Sequence, residues 1–211
     1  MKLDVDPDIR ERWRCLLDTL AELVDIPAAL IMHVVDEDIE VFAASANQDN
    51  PYHPGDRERL VNSGLYCEQV VASRARLLVP DARVDDDWCR NPDIKLGMVS
   101  YLGFPVHWPD DTVFGTICVL DREHNEYSPL IERVILHFRD LVESHLVLIS
   151  QRMKLLKTLH GIVPICASCR KIRDDGGQWH QLEEYISSKT PARFSHGMCP
   201  DCAQVFMRDL E

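Results

Sequence analysis

The sequence predicts an α+β fold, in which an antiparallel sheet is flanked by helices, a long helix follows, and a small metal-bound ββα-type tail ends the chain. Three observations predict it. Apolar residues recur at helical spacing near the N-terminus and again after residue 128. Between these segments lie two pairs of β-branched apolar runs, each pair joined by a short polar turn. Finally, two CxxC pairs lie close to the C-terminus.

The first elements are a predicted helix and a predicted hairpin. Residues 7–26 place Ile9, Trp13 and a series of leucines at helical spacing, with Asp6 as a candidate N-cap before Pro7. The runs 28–36 and 39–45 are rich in Val, Ile and Ala and meet at the acidic turn Asp-Glu-Asp. Their lengths and the turn between them predict two antiparallel strands.

The following elements complete the predicted sheet. Residues 65–74 predict a helix, and residues 76–82 a short strand that Pro80 ends. Two further apolar runs, 98–108 and 111–121, share the turn Pro-Asp-Asp and predict a second hairpin. The polar segments between these elements predict surface loops.

The segment from Tyr66 to Pro129 resembles the central part of a GAF domain, and the resemblance extends over about residues 10–150. The matching pieces are LLVPDA, Asn-Pro at 91–92, YLGFPV, FGTICVLD and the helix after YSP. This resemblance implies a PAS-like six-stranded antiparallel sheet between helices, with a ligand pocket on one face. It also implies a sensory or dimerisation role in a signalling protein. We therefore expect residues 1–150 to form one sensory domain.

The resemblance places the pocket wall within residues 64–101. Candidate ligand-binding residues share this region or an adjoining strand: Phe42, Tyr66, Cys67, Asp81, Trp88, Asn91 and Tyr101. Each of them is also explained by ordinary core packing. The sequence lacks the signature of cyclic-nucleotide binders and has no Cys-His pair of the kind that holds a bilin. Haem binding would need His33, His107 or His137, and a hydrogen-bonded core histidine is the simpler explanation for each.

Enzymatic activity is not expected, with one alternative kept open. Free methionine sulfoxide reductases are similar to GAF domains, and Cys67 lies where that family has a thiol. The other thiol motifs are absent, and Cys89 and Cys118 are not recognisably placed to resolve a sulfenic acid. Together with Cys15, these cysteines are interpreted as small apolar residues. The sequence shows no Ser-His-Asp set and no phosphate-binding glycine loop.

The long segment 129–160 predicts a connecting helix that also forms a homodimer. Its apolar residues recur at heptad-like spacing over more than three heptads, which is longer than one domain face requires. The residues assigned to the dimer seam are Ile135, Phe138, Val142, Ile149, Leu156 and Leu159, with His145 and Arg152 in the same register. The alternative is a helix that only covers the sheet.

Cys166, Cys169, Cys199 and Cys202 predict a four-thiolate metal site in a small domain spanning residues 161–211. A CxxC knuckle turns two sulfurs toward one ion, and a second knuckle supplies the other corners of a tetrahedron. So short a segment has too few apolar residues to fold by burial alone, and a metal would supply the remaining free energy. His196 is a fifth candidate ligand, although a second-shell or turn role explains it equally well.

Zinc is the preferred metal, and iron is the second choice. The gap between the pairs equals that of rubredoxins, but Arg170 and Ala203 follow the second thiols, where rubredoxin-like knuckles have glycine. The tail also resembles C-terminal segments of the form PICASCKKIRDD…FSHGICPDC that occur on bacterial signalling proteins. That resemblance implies a signalling context and names no activity.

Charge and hydropathy restrict the partners. The net charge is −12; residues 152–211 hold 9 basic and 7 acidic side chains, and the preceding 151 residues hold 14 and 28. An acidic front domain repels phosphates, so nucleic-acid binding through the tail is kept only as an alternative. No window approaches the roughly 18 apolar residues of a membrane span. We expect a cytoplasmic sensory module that binds a small ligand, senses redox state or dimerises, with the tail contacting a partner protein.

Overall fold

The computed structural model describes residues 5, 7–160, 164–174 and 176–208; the candidate cap Asp6 lies outside them. The chain divides into two compact units, Met1–Lys154 and Leu155–Glu211. The predicted fold class is confirmed: the first unit is an antiparallel sheet flanked by helices. Its elements are α1 (Pro7–Val24), β1 (Ala28–Val35), β2 (Asp38–Ala44), β3 (Arg57–Arg59), α2 (Tyr66–Ser73), β4 (Leu77–Val79), β5 (Ser100–His107), β6 (Val113–Asp121) and most of α3 (Pro129–His160), which continues past Lys154.

Six strands form one sheet in the order β3-β2-β1-β6-β5-β4, and all neighbours are antiparallel. The two predicted hairpins, β1–β2 and β5–β6, lie side by side because β1 pairs with β6. The short edge strand β3 was not predicted, since its sequence Arg-Glu-Arg has no apolar residue and all three side chains are exposed. It pairs with the first half of β2.

Successive strand residues point to opposite faces of the sheet, and both faces carry buried apolar side chains. On β6, Ile117 and Val119 join a core that includes residues of α1 and α3, whereas Cys118 and Leu120 join a second core that includes residues of α2. One face is therefore covered by the two long helices. The other is covered by α2 and by the segment that carries two short 3-10 turns, Ala82–Val84 and Pro92–Leu96.

The helical face is organised around Trp13, which is fully buried. Its ring lies 5.4 Å from that of Phe42 and 6.1 Å from that of Phe114, in tilted and edge-on arrangements. Its indole nitrogen donates a 2.9 Å hydrogen bond to Nδ1 of His145 on α3. This bond fixes the tautomer of His145 and ties α1 to α3. Burial lowers the pKa of His145, which keeps the acceptor nitrogen unprotonated.

Helix α3 buries one side in the domain's own core. Ile135, Val142 and Ile149, which the sequence assigned to a dimer seam, pack there together with Leu146. These side chains are therefore committed to the fold of a single chain. The side chains of Leu156 and Leu159 lie outside the described residues.

A second apolar stripe runs along α3, away from the core. Leu130, Leu141 and Leu148 are 60%, 42% and 58% exposed. At 3.6 residues per turn these three positions point within about 20° of one another. The stripe is therefore an exposed row of three leucines on the first unit, with the exposed His137 between Leu130 and Leu141, and it is distinct from the buried side of the same helix.

In its described residues, the second unit contains a small hairpin and two helices. Its elements are β7 (Ile172–Arg173), β8 (Trp179–His180), α4 (Leu182–Lys189) and α5 (Pro200–Arg208). Asp174 accepts a 2.7 Å hydrogen bond from Nε2 of His180 and stabilises the hairpin turn. Among the described residues of this unit, Ile172 is buried, whereas the large apolar side chains that remain exposed include Trp179, Phe194, Met198 and Phe206.

Membrane insertion by a helix finds no support in the described part of the chain, where every helix is too short or too polar to cross a bilayer.

Candidate functional site

A cavity of about 370 Å³ lies on the α2 side of the sheet. The strands β1, β2, β5 and β6 supply its floor, α2 supplies one wall, and the segment around Asp93 supplies another. Exposed residues at its edge, Asp56, Arg57, Glu58 and Leu96, connect it to the surface. The remaining lining is mostly apolar and comprises Leu30, Met32, Ile39, Val41, Pro51, Tyr52, Leu65, Cys67, Asp93, Tyr101, Cys118 and Leu120.

A cluster of sulfur and hydroxyl groups lies at the floor of the cavity. The Cys67 thiol on α2 lies 3.5 Å from the Tyr101 hydroxyl and accepts a 3.4 Å hydrogen bond from the Thr116 hydroxyl. The thiol of Cys118 on β6 lies on the same face as Thr116 and lines the same cavity. All four side chains are buried. Two thiols and two hydroxyls thus share one small region beside the cavity.

The position of Tyr101 depends on a glycine two residues along the same strand. A Cβ atom on Gly103 would lie only 2.1 Å from the Tyr101 hydroxyl. The absent side chain therefore leaves the space that the Tyr101 ring tip occupies. Because Gly103 pairs with Cys118 across the sheet, this space lies next to the two thiols.

The hydrogen bonds distinguish the two thiols. The Cys118 thiol, Thr116 and Tyr101 stabilise the anionic form of Cys67 and lower its pKa. The pKa of Cys118 is raised instead. The interaction with Cys67 holds the Cys118 proton, and burial disfavours a charge on this thiol. Cys67 is therefore the more nucleophilic member of the pair.

A buried carboxylic acid lies on another wall of the cavity. Asp93 is 9% exposed, and its Oδ1 accepts a 2.8 Å hydrogen bond from the Tyr52 hydroxyl. Burial raises the pKa of Asp93 to about 6, although the bond from Tyr52 opposes this shift. Burial and the nearby carboxylate also raise the pKa of Tyr52, which keeps it protonated and able to donate.

The arginine at the edge of the cavity, Arg57, is already paired with carboxylates. Arg57 on β3 donates a 2.8 Å hydrogen bond to Glu40 and lies 3.9 Å from Asp38. Its charge is thus balanced by the neighbouring strand rather than directed at the cavity. Exposed pairs of this kind contribute little stability, so a ligand could compete for the guanidinium at small cost.

Of the residues predicted to contact a ligand, two line the cavity: Cys67 and Tyr101. Tyr66 lies behind them, with its ring stacked 4.7 Å from that of Tyr101 and its hydroxyl buried without a hydrogen-bond partner. Trp88 packs against the other side of Tyr66 at 5.2 Å. These two aromatic residues support the wall rather than form its surface.

The other predicted residues lie elsewhere. Phe42 belongs to the core on the opposite face of the sheet, because it alternates with Val41, which lines the cavity. Asn91 begins a 3-10 turn and donates a 2.8 Å hydrogen bond to the carbonyl of Gly64. Asp81 caps the preceding turn and forms an ion pair with Arg83 that lowers its pKa to about 2.

The structure adds cavity residues that the sequence did not identify, above all Cys118, Tyr52 and Asp93. One local signal was available: Cys118 alternates with Ile117 on a predicted strand, so it faces the same side as Thr116 and Leu120. No local pattern indicates that Tyr52 and Asp93 meet, since 41 positions separate them.

The histidines considered for haem lie on the helical side of the sheet or on its surface. His33 stacks on Phe114, with ring centres 4.5 Å apart. His107 contacts Glu143 on α3, and His137 is exposed on the same helix. Each position has a structural explanation in the fold.

The tail cysteines form two separate pairs. Backbone N–H groups and the Cys169 thiol stabilise the thiolate of Cys166 and lower its pKa, and Cys199 is affected in the same way by Cys202. Each pair therefore favours a thiolate, which is the form that binds a metal. Among the residues that the structure describes, no group of three or more Cys, His, Asp or Glu side chains converges as metal ligands would. His196 is exposed.

Comparison with known proteins identifies the class of the first unit. Residues 8–142 match the model of the GAF domain. The match covers more than half of the chain, and the chain belongs to the GAF domain family. The resemblance of the central segment to this family is thereby confirmed.

Individual relatives come from signalling proteins. The diguanylate cyclase DgcP of Escherichia coli is 26% identical over 138 residues, which are 63% of this chain and 38% of that protein. The chain thus spans about two fifths of the length of this curated relative. The phycoerythrobilin-bound GAF domain of a cyanobacterial phytochrome superimposes with a TM-score of 0.59 at 13% identity, covering 70% of this chain and 89% of that one. Residues 122–287 of a methyl-accepting chemotaxis protein give a TM-score of 0.56 at 16% identity, covering 71% and 93%.

Replacing Asp93 with asparagine should stabilise the protein above neutral pH and leave it unchanged in acid. Because the pKa of about 6 in the folded state exceeds the ordinary 3.8, the folded protein binds the proton more tightly than the unfolded chain. Wild-type stability is therefore lost as the pH rises from about 4 through about 6. At pH 7.5 we expect Asp93→Asn to raise the free energy of unfolding by up to about 3 kcal/mol.

Urea unfolding at pH 4 and at pH 7.5 measures this difference. The matched control is Asp86→Asn, which changes an exposed carboxylate and should have no effect at either pH. If Asp93→Asn destabilises the protein equally at both values, burial of the charge is not the controlling factor.

Proposed function

We propose that this chain is a sensory and regulatory module in which a small molecule binds the cavity of the GAF domain. The cavity carries the proposal. Its volume of about 370 Å³ falls in the range of small-molecule sites. It combines apolar walls with a few polar groups, namely the Tyr101 hydroxyl, the Cys67 and Cys118 thiols and the Asp93 carboxyl. Such a lining favours a compact, largely apolar ligand with one or two hydrogen-bonding groups.

The sheet supplies a physical route from ligand to output. Cys118 and Leu120 line the cavity, and Ile117 and Val119 on the same strand pack in the core that holds α3. A ligand that moves β6 therefore changes packing against α3 without any contact of its own with that helix. Close-packed interfaces respond to small shifts by repacking, so α3 is the expected output element.

Filling the cavity should abolish ligand binding. Val41 is 2% exposed and lines the cavity, so Val41→Phe places a ring where the ligand would lie. Native mass spectrometry of the full chain, purified from cells, should show a small-molecule adduct on the wild type that is absent from the variant. Val147→Phe is the control, because it has the same mass and adds the ring at an exposed position on α3.

Circular dichroism confirms that both variants are folded before the comparison. An adduct that persists equally in Val41→Phe contradicts binding in this cavity. A wild type that carries no adduct, and whose melting temperature responds to no compound in a metabolite library, contradicts the sensory function.

Homodimerisation through α3 is the second part of the proposal. The exposed stripe formed by Leu130, Leu141 and Leu148 lies on the side of α3 that the domain core leaves uncovered. Packing this stripe against its copy in a second chain would bury all three leucines. The proposed dimer seam is thus on α3, as the sequence pattern suggested, but on a different side of the helix from the one that the pattern indicated.

Charges on the stripe should separate the dimer. The double variant Leu141→Glu, Leu148→Glu is expected to weaken association at least tenfold, because each buried leucine contributes about 1.5–3 kcal/mol. Analytical ultracentrifugation across a concentration series measures the change. Leu23→Glu on α1 is the control, since Leu23 is 64% exposed and lies outside the stripe. A wild type that remains monomeric at the highest concentration contradicts this part of the proposal.

We further propose that the tail is a zinc-stabilised docking surface for a signalling partner. Cys166, Cys169, Cys199 and Cys202 would hold the ion, which requires the two knuckles to approach each other. The exposure of most of the tail's described apolar side chains supports this, because a unit with so little buried surface needs another source of stability. Iron is the alternative metal.

Metal analysis of the full chain tests the tail. We expect about one zinc per chain, loss of tail structure on treatment with a chelator, and loss of bound metal in Cys169→Ser. Cys15→Ser is the control, because Cys15 is an exposed cysteine of the first unit. Visible absorbance of a red-brown protein would assign iron instead. A metal-free protein whose amide exchange in the tail is unaffected by chelator contradicts the proposal.

A further inference from the structure

We propose that Cys67 and Cys118 form a redox-sensitive pair, in which a peroxide that enters the cavity converts the two thiols into a disulfide. The inference does not rest on the small-molecule ligand proposed above, because a molecule of hydrogen peroxide is scarcely larger than water. It assigns a function to two buried thiols whose proximity is not needed for packing.

Three geometric features support the pair. Thr116, which lies two positions before Cys118 on the same face of β6, contacts the Cys67 sulfur at 3.4 Å, so the two thiols are neighbours although 51 positions separate them in the sequence. Both residues line a cavity whose edge is formed by exposed residues, so an oxidant can reach them without unfolding. The other cysteines of this unit, Cys15 and Cys89, are exposed and have no part in the cluster.

The hydroxyl groups assign an order to the reaction. Thr116 donates to Cys67 at 3.4 Å, and Tyr101 lies 3.5 Å away on the same sulfur. These contacts favour Cys67 as the thiolate that attacks and leave Cys118 as the thiol that follows. The same donors are placed to stabilise the charge on the attacking sulfur. Thr116 and Tyr101 are thus positioning residues for the reaction.

The chemistry balances with hydrogen peroxide as the oxidant. The Cys67 thiolate attacks one peroxide oxygen, the O–O bond breaks, and hydroxide leaves as Cys67 becomes a sulfenic acid. The Cys118 sulfur then attacks the Cys67 sulfur, an S–S bond forms, and the sulfenic oxygen departs as water. Overall, two thiols lose two electrons and two protons, and one peroxide becomes two water molecules. A dithiol reductant reverses the change.

The disulfide would couple oxidation to the proposed signalling route. It would join α2 covalently to β6, the strand that also packs toward α3. It would also remove the thiols that border Tyr101 at the floor of the cavity. Oxidation would therefore change both the shape of the cavity and the mobility of its wall.

Peptide mapping of the full chain tests the inference directly. The reduced protein is treated with hydrogen peroxide, its remaining thiols are alkylated in denaturant, and it is digested with trypsin. Cys67 and Cys118 fall in the tryptic peptides 60–74 and 96–122. We expect these two peptides to be linked after oxidation and to separate on addition of dithiothreitol. The inference is overturned if the exposed cysteines are oxidised while both peptides carry alkylated thiols, or if Cys67 proceeds to a sulfinic acid beside an alkylated Cys118.

Variants separate the roles of the two thiols. Cys118→Ala should leave a sulfenic acid on Cys67 that dimedone traps, and Cys89→Ser, which removes an exposed thiol, should leave the linked peptide unchanged. Thr116→Val keeps the shape of a buried side chain and removes the donor, so linkage should slow about tenfold. An unchanged rate in Thr116→Val contradicts the assigned order of attack. If Cys118→Ala does not fold, the wild-type map and Thr116→Val still decide the question.

Discussion

The alternation of apolar residues on the central strands is the constraint on which the first unit depends. Ile117 and Val119 face one side of β6 while Cys118 and Leu120 face the other, so both faces of the sheet must be covered. Two long helices cover one face. The opposite face is covered by a short helix and irregular segments, which pack less continuously and leave the cavity. The candidate site is thus a consequence of how one sheet is enclosed by two unequal layers.

This arrangement makes the sheet a shared wall between site and helix. Any change at the floor of the cavity acts on strands whose other side contacts Trp13, Phe42 and the buried side of α3. The bond from Trp13 to His145 holds the two helices together at this surface. In the proposed sensory function, this coupling would connect a ligand enclosed on one face with partners that contact the other. Cys67 and Cys118 lie on this wall, where they line the cavity and belong to the apolar core on the same face.

The tail follows a different physical principle. The first unit is stabilised by two apolar cores, whereas the second leaves most of its described large apolar side chains exposed. The two CxxC knuckles are prepared locally, since backbone N–H groups already favour the thiolate in each. We propose that a metal ion completes the unit by joining the two knuckles, because its chemistry suits four thiolates.

The sequence by itself determined the fold class, the two hairpins, the long helix and the CxxC pairs, because each depends on spacing over a few residues. Period-two alternation and turn composition are local properties that the chain displays in any environment. The cavity was decided only by tertiary structure, since Tyr52, Cys67, Asp93 and Cys118 meet from distant segments. For the same reason, the apolar pattern of α3 could not show which side of the helix the domain buries. Ile135 and Leu141 are both apolar in sequence, and only the packed domain determines which of them it buries and which it leaves exposed.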